Sequence, residues 1–234
     1  MTEPDSTATD LRWLAATWPF VRQHMPPPPC RVVDLGCGRL GGFVPALRAE
    51  GFDAQGVDPE APVGPHYHPV RFEDYDAGQP AAAMVASTSL HQVSDLDTVV
   101  DLIAQRLDPD GVLVVMDGAW ERLDEATAKW CFDRLADDEP NWLHQRRNEW
   151  LTSGESWDVY FDRWARTEGF HTGRDILVSL ATRFDTRLLA EGTFLFPDLG
   201  GVSAVDEQAA IDSGRIQAVA FRYVGRRKAP SERS

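Results

Sequence analysis

Lysine is nearly missing from this chain: Lys129 and Lys228 are the two lysines among 23 basic residues, and 37 carboxylates leave a formal net charge of −14 over 234 residues. A duplex or folded RNA needs a basic stripe to displace its counterions, so no nucleic acid is expected as partner. Cysteine is scarce too. Cys30, Cys37 and Cys131 are odd in number and widely spaced, which does not suit a disulfide framework or a zinc knuckle and fits a reducing compartment. Apolar runs of membrane-spanning length are absent, and Met1 to Asp10 lacks the charged start and apolar stretch of a signal peptide. The expectation is a cytoplasmic protein with no membrane partner, either a monomer or a homodimer. The closing Arg226-Arg227-Lys228 run reads as a solvated tail.

What is present is an ordinary globular balance, with 43% hydrophobic and 26% charged residues, enough for a single domain over 1–234. A helix predicted over Leu11–His24, with Leu11, Leu14, Ala15 and Trp18 on one side, runs into four prolines that cannot continue it; this N-terminal lead-in spans 1–29. From Arg31 onward short apolar runs alternate with helical periods, the pattern of βαβ units around a parallel sheet. Strands are predicted at Arg31–Leu35, Asp53–Asp58, Pro69–Phe72, Ala82–Ser87 and Gly111–Met116, within a core of 30–118. Between the last two lies a helix from Asp95 to Leu107, with Ser94 as its N-cap. The segment 119–172 is helical in period and holds six of the eight tryptophans, which predicts an inserted cap. A helix and two late strands follow over 173–225, the strands predicted at Phe184–Phe196 and Arg215–Val224 as an antiparallel edge pair, and 226–234 as a flexible tail.

The stretch Val32-Val33-Asp34-Leu35-Gly36-Cys37-Gly38-Arg39-Leu40-Gly41 is a strand entering a glycine-rich turn. Its glycines also satisfy the dinucleotide spacing, because any bound nucleotide needs the backbone to come close. Asp34 discriminates. A carboxylate facing the ligand repels a pyrophosphate and favours a cation such as S-adenosylmethionine, which carries an ammonium and a sulfonium.

These residues resemble the first motif of class I S-adenosylmethionine-dependent methyltransferases of the small-molecule type. Gly56-Val57-Asp58 is similar to the end of that family's second strand, Arg71-Phe72-Glu73-Asp74 to its adenine-edge segment, and Ala86-Ser87-Thr88-Ser89-Leu90-His91-Gln92-Val93 to the motif after its fourth strand. The resemblance implies an α/β fold: a Rossmann-like seven-stranded, mostly parallel sheet with an antiparallel last strand, helices on both faces and a helical cap inserted after the fifth strand. It also implies S-adenosyl-L-methionine as cofactor, with Asp34, Gly36, Cys37, Gly38, Asp58, Pro59, Phe72, Glu73, Ser87 and Leu90 around it. Either Glu73 or Asp74 reaches the adenine amine.

Methyl transfer is an in-line displacement from a good leaving group, so the protein's main task is to hold donor and acceptor in near-attack geometry. His91, after the fourth strand, is the candidate base for an acceptor that loses a proton. His66 and His68 lack a completing acid, and Asp117 with Glu121 lacks a third ligand, so metal independence is expected. In the cap, Trp120, Trp142, Trp150, Tyr160 and Trp164 are candidates for an aromatic wall over a flat or hydrophobic small-molecule acceptor, and Arg146 for stacking on Trp142 and Trp150 or holding an acceptor carboxylate. Methylation of a protein or RNA, a nicotinamide-dependent oxidoreductase and a non-catalytic S-adenosylmethionine binder remain as alternatives.

Overall fold

The computed structural model describes residues 7–136 and 140–228. Seven strands form one sheet: β1 (Arg31–Leu35), β2 (Asp53–Val57), β3 (Tyr67–His68), β4 (Ala81–Ser87), β5 (Leu107–Gly118), β6 (Phe184–Gly192) and β7 (Ala220–Arg227), in the order β3-β2-β1-β4-β5-β7-β6. The first five are parallel, and β7 runs antiparallel to both of its neighbours. The order reverses between β1 and β4, so a crevice opens at the carboxyl ends of those two strands, where sheets of this kind bind ligands.

Alternation along the strands sorts the core into two layers. Val32, Val85, Val114 and Met116 face one side, together with α1 (Thr7–His24), α2 (Val44–Ala49) and the cap; Val33, Met84, Leu113 and Val115 face the other. That second side is covered by α3 (Leu96–Arg106) and α7 (Gly173–Arg183), the latter placing Ile176 and Leu180 against the sheet. The cap consists of α4 (Glu125–Phe132), α5 (Trp142–Ser153) and α6 (Trp157–Thr167). Fully buried Trp157 sits at its centre, stacked on Phe161 at 4.8 Å and edge-on to Phe132 and Trp150 at 5.5 Å. Between β6 and β7 lies α8 (Ala204–Asp212).

The predicted fold class is the one observed, with local corrections. Pro69 has no amide to give a ladder, and the chain turns there, Val70 N donating to His68 O; the third strand therefore lies at Tyr67–His68, and Phe72–Asp74 forms a 3-10 turn. The cap of α3 is Asp95 rather than Ser94, its carboxylate accepting from Thr98 N at 3.0 Å. The buried face of α1 is Trp13, Thr17 and Val21, while Leu11 is exposed. The last strand starts at Ala220, not Arg215, and Arg226 and Arg227 are not tail: they pair with Val112, Asp185 and Phe184 in the ladder. Arg227 Nη1 also donates to Leu107 O, and Lys228 Nζ to Ala181 O. Backbone groups that would go unpaired between β5 and β6 outweigh the preference of a basic run for water. The rest of the predicted tail, 229–234, lies outside the described residues.

Candidate functional site

β1 ends in Asp34 and Leu35 and delivers the chain into the glycine loop. Gly36 has φ +77° and donates its amide to Val57 O at 2.8 Å; a Cβ there would stand 2.4 Å from the Ser89 Cβ. Gly38 has φ +60° and faces open space, with nothing within 4 Å of a would-be Cβ. A side chain there would occupy the crevice itself. Asp34 is 1% exposed and accepts from Phe43 N at 2.6 Å, which ties the end of β1 to the start of α2. Burial pushes its carboxyl up to about 7, the Phe43 hydrogen bond opposes that rise, and the nearby Asp58 charge adds to it.

A crevice of about 110 Å³ is lined by Asp34, Gly36, Cys37, Gly38 and Ser87 from the expected set. Also in its wall are Asp10, Trp13 and Leu14 of α1, together with Arg39, Gly42, Phe43 and Thr88. The α1 contribution escaped the sequence reading. A signal was present, since Asp10, Trp13, Leu14 and Thr17 follow helical spacing on one face. Trp13 Nε1 donates to Ser87 Oγ at 2.9 Å, so the first helix is fastened to the end of β4 across the crevice. Burial raises the Cys37 thiol well above its ordinary range, and the Asp34 and Asp58 charges reinforce this, so it is an apolar wall element rather than a nucleophile. Asp10 and Asp34 against the single guanidinium of Arg39, around a glycine cradle, suit a cationic ligand better than a pyrophosphate.

The other expected donor residues lie beyond the wall of this crevice. Half-buried Asp58 follows β2 and caps its own turn, accepting from Glu60 N at 2.7 Å, and Pro59 beside it is exposed. Phe72 is buried in the core, its carbonyl and that of Glu73 bound by Arg106; Glu73 is half-buried and Asp74 exposed. Leu90 is fully buried, and its amide donates to Asp117 Oδ2 at 2.8 Å.

His91 stands next to that amide. Its Nδ1 lies 2.6 Å from Asp117 Oδ1, which also accepts from Gly118 N at 2.8 Å. A carboxylate only accepts, so His91 donates from Nδ1, and its Nε2 lies 2.9 Å from the Gln92 side-chain amide. Asp117 is fully buried and committed to this loop, and Glu121 accepts from Gly173 N and Arg174 N at the start of α7. His68 Nε2 meets Gln55 at 2.6 Å. Among the described residues no cluster of three metal-ligating side chains forms.

The cap reaches His91 through rings: Phe170 is edge-on to it at 5.2 Å, Trp164 edge-on to Phe170 at 5.5 Å, and Trp142 stacked on Trp164 at 6.4 Å. Arg146 is 5% exposed, 4.5 Å above the Trp164 ring, and bonded to Glu149 at 2.9 Å, which also takes the Tyr160 hydroxyl. The indole N–H groups of Trp120, Trp142 and Trp150 donate to His171 O, Asp198 Oδ2 and Glu155 O.

A family model described as a methyltransferase domain matches residues 10–163. No curated protein gives a significant sequence match. Solved structures do. The S-adenosylmethionine-dependent methyltransferase from Mesorhizobium loti superposes with a TM-score of 0.54 at 18% identity, covering 91% of this chain and 98% of its own. The N-methyltransferase NodS from Bradyrhizobium japonicum WM9, in complex with S-adenosyl-L-homocysteine, gives 0.52 at 12% identity, over 92% and 87%. Geranyl diphosphate C-methyltransferase from Streptomyces coelicolor A3(2) gives 0.54 at 17% identity, over 92% and 76%.

Proposed function

The chain belongs to the methyltransferase-domain family and is an S-adenosylmethionine-dependent methyltransferase; from that premise we propose that its acceptor is a small, flat or hydrophobic metabolite whose nucleophile faces His91. When bound, S-adenosylmethionine supplies an electrophilic methyl on a sulfonium with a neutral thioether as leaving group. Asp34 and the Gly36–Gly38 backbone would hold the charged end of the donor, in the crevice whose wall Trp13 and Leu14 also form. Asp58 would take the ribose hydroxyls, with Pro59 beside it, and Phe72 with Glu73 would border the adenine. Ser87 at the end of the fourth strand and Leu90 in the turn after it would bound the site, with Cys37 packing from the loop.

His91 Nε2 removes the acceptor's proton as the nucleophile attacks, while Asp117 keeps the ring in the tautomer that leaves Nε2 basic. The acceptor lies along the aromatic run from Trp142 and Trp164 to Phe170, with Trp120, Trp150, Tyr160 and Arg146 supporting that wall. The observation that carries this reading is the His91–Asp117 pair meeting the cap's rings at Phe170. The −14 charge supports a partner other than nucleic acid. The protein's place is proposed to be cytoplasmic; no helix among the described residues is long and apolar enough to cross a membrane.

The test is S-adenosylhomocysteine release from purified protein offered flat hydroxylated and amine metabolites, an unfolded protein and a structured RNA. Turnover with the small molecules is expected. Turnover confined to the protein or the RNA overturns the proposal.

A further inference from the structure

Glu207, on α8, is fully buried, and its carboxylate is given to three consecutive backbone amides. Phe194 N donates to Oε1 at 2.8 Å, Leu195 N lies 3.2 and 3.0 Å from the two oxygens, and Phe196 N donates to Oε2 at 2.7 Å. A buried charge is tolerable when hydrogen bonds replace its water, and here they fix a turn of otherwise irregular chain. Burial pushes the Glu207 carboxyl above its usual range while the three amides pull it back.

The turn has a purpose visible in its side chains. Phe194 meets the Trp13 ring edge-on at 5.5 Å, and Phe196 stacks on it at 6.3 Å. Beyond the turn, Pro197 O and Leu199 O accept from Arg12 Nη1 at 2.7 and 3.1 Å, and Val202 O accepts from Arg12 Nη2. The segment 194–202 is thus the seat on which α1 rests, and Trp13 reaches from that seat into the crevice wall and to Ser87.

We propose that Glu207 is a positioning residue for donor binding, acting through the Phe194–Phe196 turn on Trp13. The inference rests on the glycine-loop crevice being the donor site. Glutamine cannot take over the role, because its amide nitrogen would face backbone N–H groups that are themselves donors. At least one amide of the turn would lose its acceptor, and the rings that clasp Trp13 would lose their fixed footing.

The test is a double-mutant cycle read by calorimetric titration of S-adenosylhomocysteine into wild type, Glu207→Gln, Trp13→Phe and the double variant. Each single change is expected to weaken binding about tenfold, and the double variant to be little worse than the weaker single, because both act on one link. Additive losses, or a Glu207→Gln protein with a lower Tm and unaltered affinity, would reduce Glu207 to a fold-stabilising role and overturn the proposal. Where Glu207→Gln does not fold, Phe194→Leu interrupts the same relay; unaltered affinity there is equally fatal, and a tenfold loss not additive with Trp13→Phe sustains it. Failure of the wild type itself to bind S-adenosylhomocysteine would instead bring down the donor-site reading.

Discussion

The Asp34 carboxylate and the Phe43 amide meet at 2.6 Å, and this one bond ties the end of β1 to the residue before α2 and holds an acid beneath the glycine loop. Gly42 makes room for it, since a Cβ there would come within 2.2 Å of Asp34 Oδ2. The consequence is a carboxylate lifted to about 7 by burial, poised between charged and neutral where the donor's cation arrives.

Binding should therefore follow Asp34's titration. Donor uptake favours the ionised form, so S-adenosylhomocysteine affinity is expected to rise between pH 6 and pH 8, about the midpoint near 7, and to be weaker and flat in Asp34→Asn. Stability has the opposite sign. A carboxyl raised from 3.8 to about 7 in the fold favours folding at low pH, and that contribution is lost as pH climbs through 7. Thermal melts of the ligand-free protein should decline between about pH 4 and pH 7 in wild type more steeply than in Asp34→Asn, and level off above that.

The glycines of the loop should separate by what their missing side chains would meet. Gly36→Ala places a methyl against Ser89 and should lower both Tm and donor affinity. Gly38→Ala meets open space and carries the cost of a positive φ, about 1 kcal/mol. It should fold, with Tm down by about 2–4 °C, yet lose S-adenosylhomocysteine binding at least about tenfold. Melting curves with and without the ligand decide it.

His91→Ala should cut turnover of a proton-losing acceptor by about 10²–10⁴-fold while leaving S-adenosylhomocysteine affinity within about twofold. Asp117→Asn leaves one acceptor oxygen for three donors, His91 Nδ1, Gly118 N and Leu90 N, so the hold on the ring and its loop should weaken and turnover should fall. Nitrogen NMR of the imidazole reads the loss of the Nδ1 partner directly.

Arg146 is held by Trp164 and Glu149. Arg146→Ala removes a buried stacked cation, and the expected loss is about 1–3 kcal/mol, or a Tm lowered by about 3–10 °C. Measuring acceptor KM in the same variant separates packing from recognition: a KM raised tenfold or more would assign the guanidinium to an acceptor carboxylate.

Most of the sheet was legible because burial writes itself into sequence as runs and periods. Leu96, Val99, Val100, Ile103 and Leu107 are buried as their spacing required. Boundaries failed where a single hydrogen bond decides them, as at Asp95, or where proline denies one, as at Pro69. In the site, Asp34, Gly36, Cys37, Gly38 and Ser87 converge on one crevice because the loop's conformation is local and carried by glycine. Asp10, Trp13 and Leu14 join them by a contact between α1 and a turn more than 180 residues away, as the separation of Arg12 from Pro197 shows. The spacing of Asp10, Trp13, Leu14 and Thr17 marks one face of α1 but does not state which part of the molecule that face meets. The same holds for Glu207, whose acidic sequence context gives no sign of its burial.

The bond from the indole of Trp13 to Ser87 Oγ joins the two ends of the chain's architecture at one place. A helix that precedes the sheet in sequence thereby becomes part of the wall against which any ligand of the crevice must pack, and a truncation that removes it would strip that wall without touching the glycine loop.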